Sequence, residues 1–117
     1  MLYVTIHNYK VGSGRPLDVA MEAEAFLGLA GSIPGFRAYY MVDGGDGLIG
    51  SVSIFETREG IQECDRRAAE FVEERLGSFR LSQAEITEGE VLACQVGVIE
   101  RRGEQAPPQT ASRSRAN

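Results

Sequence analysis

The sequence predicts an α+β, ferredoxin-like domain in the order β-α-β-β-α-β: a four-stranded antiparallel sheet with two helices on one face. Three observations predict it. The run Ser32-Ile33-Pro34-Gly35-Phe36-Arg37-Ala38-Tyr39-Tyr40 ends a helix, turns the chain within two residues and opens an aromatic strand. The cluster Asp43-Gly44-Gly45-Asp46-Gly47 parts two β-rich runs, because Gly and Asp tolerate the positive φ that tight hairpins need. Two apolar stripes of helical spacing alternate with these strands, and right-handed crossovers bring both helices to the same side of the sheet.

Leu2 to Lys10 alternates and is rich in β-formers, which makes it the first strand. Val11-Gly12-Ser13-Gly14-Arg15 is a loop, and Pro16 suits a first helical turn. Val19, Ala23, Phe26, Leu27, Ala30 and Ile33 then recur every three or four residues, so helix one runs to Ser32 with one buried stripe. Pro34 cannot continue that helix. Strand two spans Phe36 to about Val42, and strand three, Leu48 to Glu56, returns beside it. Thr57 is a cap for helix two, whose stripe of Ile61, Cys64, Ala68, Phe71, Val72, Leu76 and Phe79 carries it to about Phe79. Its Glu and Arg residues form a solvated face with i,i+4 pairs. Ser78 to Glu85 is a connection, and Ile86 to about Val98 supplies strand four.

The 117 residues suit one domain, assigned to 1–98, large enough to bury a core without staples. Residues 99–117 are poor in apolar side chains and rich in Arg, Gln, Pro, Ser and Thr, the composition of a disordered polar tail. Net charge is −5, distributed as about −7 on the body and +2 over residues 100–117. Such an acidic body argues against nucleic acid as a partner. With no apolar run of membrane-spanning length and no leader before Leu2, the expectation is a cytoplasmic protein without a membrane partner. Cys64 and Cys94 lack metal-ligand spacing and are expected to be small buried hydrophobes. Gly12-Ser13-Gly14 lacks the Lys-Ser/Thr ending of a phosphate loop.

Strand alternation gives two faces. Leu2, Val4 and Ile6, with Gly50, Val52 and Ile54, form the more apolar rows and are assigned to the helices. Phe36, Ala38, Tyr40 and Val42 share one face of strand two, opposite Arg37, Tyr39 and Met41. Tyr3, Thr5, His7, Tyr39, Ser53 and Phe55 are then left facing out, too aromatic for a surface in water. They are assigned to an interface in which two copies pair sheet to sheet as a homodimer. His7, the only histidine, is expected there as a hydrogen-bonded interface residue.

The β-α-β-β-α-β order, the Ile33-Pro34-Gly35-Phe36 junction and Ser53-Ile54-Phe55-Glu56-Thr57 ahead of helix two resemble the dimeric α+β barrel superfamily, especially antibiotic-biosynthesis-monooxygenase-like domains. The resemblance covers about residues 1–98. It implies a dimeric barrel and a cleft between sheet and helices for a small apolar or aromatic ligand. Haem-degrading members carry an asparagine on strand one and a tryptophan and a histidine on helix two. Here Asn8 matches the first, whereas Cys64 and Glu74 fall near the other two, so the expected cofactor is none. Cofactor-free oxidation of a quinol-like molecule is the activity implied, with Asn8 and Tyr40 as catalytic hydrogen-bond donors and Arg67, Cys64 and Phe71 as substrate-binding residues. The alternative is a non-catalytic dimeric ligand-binding or structural module whose cleft is filled by its own side chains.

Overall fold

Strand β1 (Tyr3–Lys10) sits second from one edge of the sheet and is the hinge of the architecture, since it pairs with both β3 and β4. The computed structural model describes residues 1–97. The tail expected over 99–117, and the strand end expected at Val98, lie outside the described residues. The elements that follow are α1 (Pro16–Gly31), β2 (Phe36–Gly45), β3 (Leu48–Phe55), α2 (Arg58–Arg75) and β4 (Glu85–Glu90). The sheet is antiparallel in the order β2-β3-β1-β4, the arrangement that two split β-α-β units produce.

The local signals act where the sequence puts them. Gly35 takes a φ of 87° at the Pro-Gly turn, and its carbonyl accepts the Glu56 N–H, stitching the start of β2 to the end of β3. Asp46 and Gly47 both have positive φ between the paired Gly45 and Leu48, the two-residue hairpin anticipated from composition. The Thr57 hydroxyl accepts the Gly60 N–H at 3.0 Å and caps α2. Val19, Ala23, Phe26 and Ala30 bury the inner stripe of α1. Ile61, Cys64 and Phe71 do the same for α2, while Leu27 stays exposed.

Three boundaries differ from expectation. Helix α2 stops at Arg75 rather than Phe79: Gly77 opens a single 3-10 turn, and Arg80 then takes a left-handed conformation. Strand β2 extends to Gly45. Strand β4 covers only Glu85–Glu90, because Glu90 already lies opposite Tyr3 and, beyond the Val91 N–H bonded to the Leu2 carbonyl, β1 offers nothing more to pair with. Val91–Gly97 therefore leaves the sheet, and Cys94, expected to be buried, is exposed.

The largest correction concerns the faces. Thr5, His7, Ser53 and Phe55 are all buried, and they lie beneath the helices. Tyr3 and Tyr39 pack against the same core. The row of β1 assigned to a dimer interface is thus the helix-facing row, and Val4, Ile6, Val52 and Ile54 occupy the open face. A register shift between Phe36 and Ala38 makes Arg37 the extra residue of a bulge. Phe36 thereby joins Phe55, with ring centroids 5.6 Å apart, on the helix side, while Ala38, Tyr40 and Val42 stay on the open side. Polar groups survive beneath the helices because they find one another: a buried hydroxyl or imidazole is costly only when it lacks a partner.

Candidate functional site

A cleft opens between the helices and the sheet, walled by Phe26, Phe71, Met41 and Val72 and floored by a strip of polar side chains. Phe26 and Phe71 lie with ring centroids 5.5 Å apart, and Tyr39 packs edge-on against Phe26 at 6.0 Å. The interior has about 40 Å³ of room for the centres of water-sized spheres, space for about three waters.

The polar floor is built from β1, β3 and α2. Alternation along β1 points Thr5, His7 and Tyr9 upward together. One turn into the apolar stripe of α2, Asp65 comes down to meet them. His7 Nε2 lies 2.9 Å from Asp65 Oδ1 and 3.1 Å from Thr5 Oγ1, and His7 Nδ1 lies 3.4 Å from the Tyr9 hydroxyl. The tautomer follows from the partners. An ionised carboxylate only accepts, so Nε2–H donates to Asp65 and Nδ1 is left to accept from the Tyr9 O–H.

Burial pushes the Asp65 carboxyl up, but hydrogen bonds from His7, Glu88 and Thr5, together with the nearby imidazole, outweigh it and hold the group below its ordinary value. Its neighbour Glu88, on β4, moves the other way: its hydrogen bond to Asp65, partial burial and the Asp65 charge all favour its protonated form. The Tyr9 phenol is raised by burial and by the Asp65 charge. Tyr39 is pushed up to about 12, chiefly by burial, despite its hydrogen bond with Ser51. Cys64, raised by burial, is a thiol beside Ser53 rather than a reactive thiolate. At neutral pH the cleft thus presents the neutral phenols of Tyr9 and Tyr39 around His7 and the Asp65 carboxylate.

Of the candidates read from sequence, Cys64 and Phe71 line this cleft. Arg67 does not: its guanidinium pairs with Glu63 at 2.6 Å on the outer face of α2. Asn8 is exposed on the open side, its Oδ1 2.9 Å from where a Cβ on Gly50 would stand. Tyr40, opposite Val52, is 56% exposed on that same side. Neither chosen hydrogen-bond donor reaches the cleft, because the face assignment was inverted. Asp65 was missed, and its signal was present: it follows Cys64 directly, four residues after Ile61 and three before Ala68, a carboxylate set into an apolar stripe. His7, Thr5, Tyr39, Ser53 and Phe55 were singled out but given to the wrong face.

No family model matches the chain, and no curated protein does. Solved structures do. SnoaB, a cofactor-independent oxygenase from Streptomyces nogalater, aligns at a TM-score of 0.62 with 11% identity, covering 80% of this chain and 95% of that one. A dimeric ferredoxin-like protein from an uncultured marine organism aligns at 0.62 with 15% identity, over 83% of this chain and 100% of the other. The heme-degrader MhuD of Mycobacterium tuberculosis aligns at 0.61 with 20% identity, over 81% and 99%. The residues here do not fit a haem: both nitrogens of His7 have side-chain partners, α2 carries no histidine, and the cleft has room for a few waters. What the alignments carry at such identities is architecture: this chain has a ferredoxin-like fold.

Proposed function

We propose that the cleft binds a small aromatic or quinol-like molecule and supports its cofactor-independent oxidation by dioxygen. In that reaction a hydroquinone gives two electrons and two protons to dioxygen, leaving a quinone and hydrogen peroxide. One observation carries the reading: an apolar cleft whose floor gathers His7, Asp65 and the Tyr9 hydroxyl. Apolar walls with a few convergent polar groups are the usual make-up of a small-molecule site. A reaction without cofactor needs groups that favour the anion of an electron-rich substrate and keep water out. The likeness to SnoaB, a cofactor-independent oxygenase, supports dioxygen chemistry without a cofactor.

The functional unit in this reading is a homodimer. Val4, Ile6, Ala38, Val52 and Ile54 form an apolar patch across the open face, with Tyr40 beside Val52 on the edge strand β2. Two such faces meeting through a twofold axis bury the patch and leave both clefts on the outside, under the helices. The likeness to a dimeric ferredoxin-like protein supports this arrangement.

The alternative, a binding or structural module without turnover, has the narrowness of the cleft in its favour, since a ring enters only when Phe26 and Phe71 part. A thermal-shift screen with hydroquinones, flavonoids and fatty acids, followed by oxygen-electrode assays in chelator-treated buffer, separates the readings. Oxygen uptake with a binding quinol, reduced by Tyr9→Phe, supports the enzyme. Binding without uptake supports the module, and binding of nothing in the panel removes the cleft as a small-molecule site.

A further inference from the structure

We propose that Tyr9, His7 and Asp65 form a proton relay that ionises a weakly acidic hydroxyl, a phenol or an enol, held in the cleft. This rests on the cleft being a ligand site and adds what the site does to the ligand. Three features converge. The tautomer fixed by Asp65 leaves Nδ1 of His7 as a lone-pair acceptor, and the group facing it is the Tyr9 hydroxyl at 3.4 Å. Both His7 and Tyr9 line the cleft, but His7 is only 6% exposed whereas Tyr9 is half-buried, so the phenol is the more open of the two to a ligand. A protonated imidazole would stand 2.9 Å from the Asp65 carboxylate, which stabilises the charge that the transfer creates.

The step balances without an oxidant. The O–H bond of the ligand breaks, and its proton moves to the Tyr9 oxygen as the Tyr9 proton moves to His7 Nδ1. The electron pair stays on the ligand oxygen. Tyr9 ends neutral, His7 ends as imidazolium, and Asp65 keeps its charge. Concerted transfer leaves no phenolate on Tyr9, which burial disfavours. The groups around the imidazole set the working range: Thr5 and Tyr9 from β1, Asp65 and Cys64 from α2, Ser51 and Ser53 from β3, Tyr39 from β2 and Glu88 from β4. Of these only Asp65 and Glu88 bring negative charge, and Glu88 is the one held towards its neutral form. Asp65 is therefore the residue that positions and charges the relay.

The probe is 4-nitrophenol, whose neutral and ionised forms absorb at different wavelengths. At a pH one unit below its solution pKa, about a tenth is ionised in water. With wild-type protein in excess, the bound probe is expected to be at least half ionised, a shift of about tenfold in the equilibrium. Tyr9→Phe and Asp65→Asn, each checked by thermal melting, are expected to retain binding within a few-fold while the bound probe stays neutral. An ionised probe in both variants overturns the relay, and so does a neutral probe in the wild type. Those results leave the cleft standing as a binding site. Absence of any binding by the wild type, read by displacement of cleft resonances in NMR, removes both proposals together.

Discussion

The same substitution, glycine to alanine, is expected to have opposite signs in the two helices, and the reason lies in how closely α2 approaches the sheet. A Cβ built on Gly60 stands 2.6 Å from Phe55 Cδ2, with two more atoms of that side chain at 3.1 and 3.2 Å. Carbon atoms pack without strain at about 3.5–4.0 Å, so the methyl overlaps the ring by about 1 Å. Phe55 has nowhere to go, being fully buried and packed edge-on against Phe36. Overpacking of this kind costs about 1–3 kcal/mol, against about 1 kcal/mol gained from replacing glycine in a helix. Gly60→Ala should therefore destabilise by up to about 2 kcal/mol, lowering Tm by up to roughly 10 °C in a domain of this size. At Gly28, on the exposed side of α1, a Cβ meets nothing within 4 Å. Gly28→Ala should instead stabilise by about 0.5–1 kcal/mol and raise Tm by roughly 3–6 °C. Thermal melting of both variants by circular dichroism checks this. Equal stabilisation in the two would refute the close approach of α2 to β3. That approach matters for the site: Asp65 lies five residues beyond Gly60 on the same helix, and displacing the helix lengthens its 2.9 Å contact with His7.

Asp65→Asn should lower stability at neutral pH, with the loss shrinking as the pH falls. Because the folded-state value of Asp65 is depressed, its ionised form stabilises the fold above the ordinary carboxylate range, and that contribution disappears as pH drops through the folded value. Denaturant titrations across the acid range test it, and a pH-independent difference would contradict the pairing. For Glu88, whose value is raised, the contribution is present at low pH and lost as pH climbs through that raised value, so Glu88→Gln should help most near neutrality. Ile6→Glu, in the middle of the open face, should convert a dimer to a monomer in size exclusion with light scattering. A dimer that persists would rule out sheet-to-sheet pairing. Arg67→Ala removes an outer-face ion pair with Glu63 and should change stability by at most about 0.5 kcal/mol while leaving probe binding intact.

The order of elements was legible because each boundary is written in residues with few conformational options: Pro34-Gly35, Asp46-Gly47 and Thr57. The end of α2 was less so, since Leu76 and Phe79 continue the apolar spacing and only the interruption by Gly77 argues for a stop. The bulge at Arg37 left no mark that alternation reveals. The two rows of β1 were separated correctly, yet a period of two says which residues share a face and not which face is covered. Assigning the most apolar row to the helices presumes that helices cover the driest side. That fails here because Thr5, His7 and Ser53 are satisfied by partners from α2 and by each other. Asp65 was legible in principle, as a charge inside an apolar helical stripe, but its meaning depends on the His7 row lying beneath it.

This inversion bears on whether the space under the helices is a site or simple packing. If the space under the helices served only to hold the fold together, aliphatic side chains at positions 5, 7, 53 and 65 would do so with no need for pairing, and replacing a buried ion pair by apolar groups is often neutral or stabilising. The chain instead places its only histidine there, 6% exposed, with a carboxylate on one nitrogen and a phenol on the other. Its unbroken aliphatic surface, Val4, Ile6, Val52 and Ile54, lies on the opposite side of the same sheet. On the proposed reading the two faces have separate tasks: the apolar open face takes a second copy of the chain, and the polar strip under the helices takes the ligand. The two tasks are separable by mutation: Ile6→Glu should abolish association while the Tyr9–His7–Asp65 array remains, and Tyr9→Phe should silence the relay while the dimer remains. Loss of both properties in either variant would mean that the faces do not act independently.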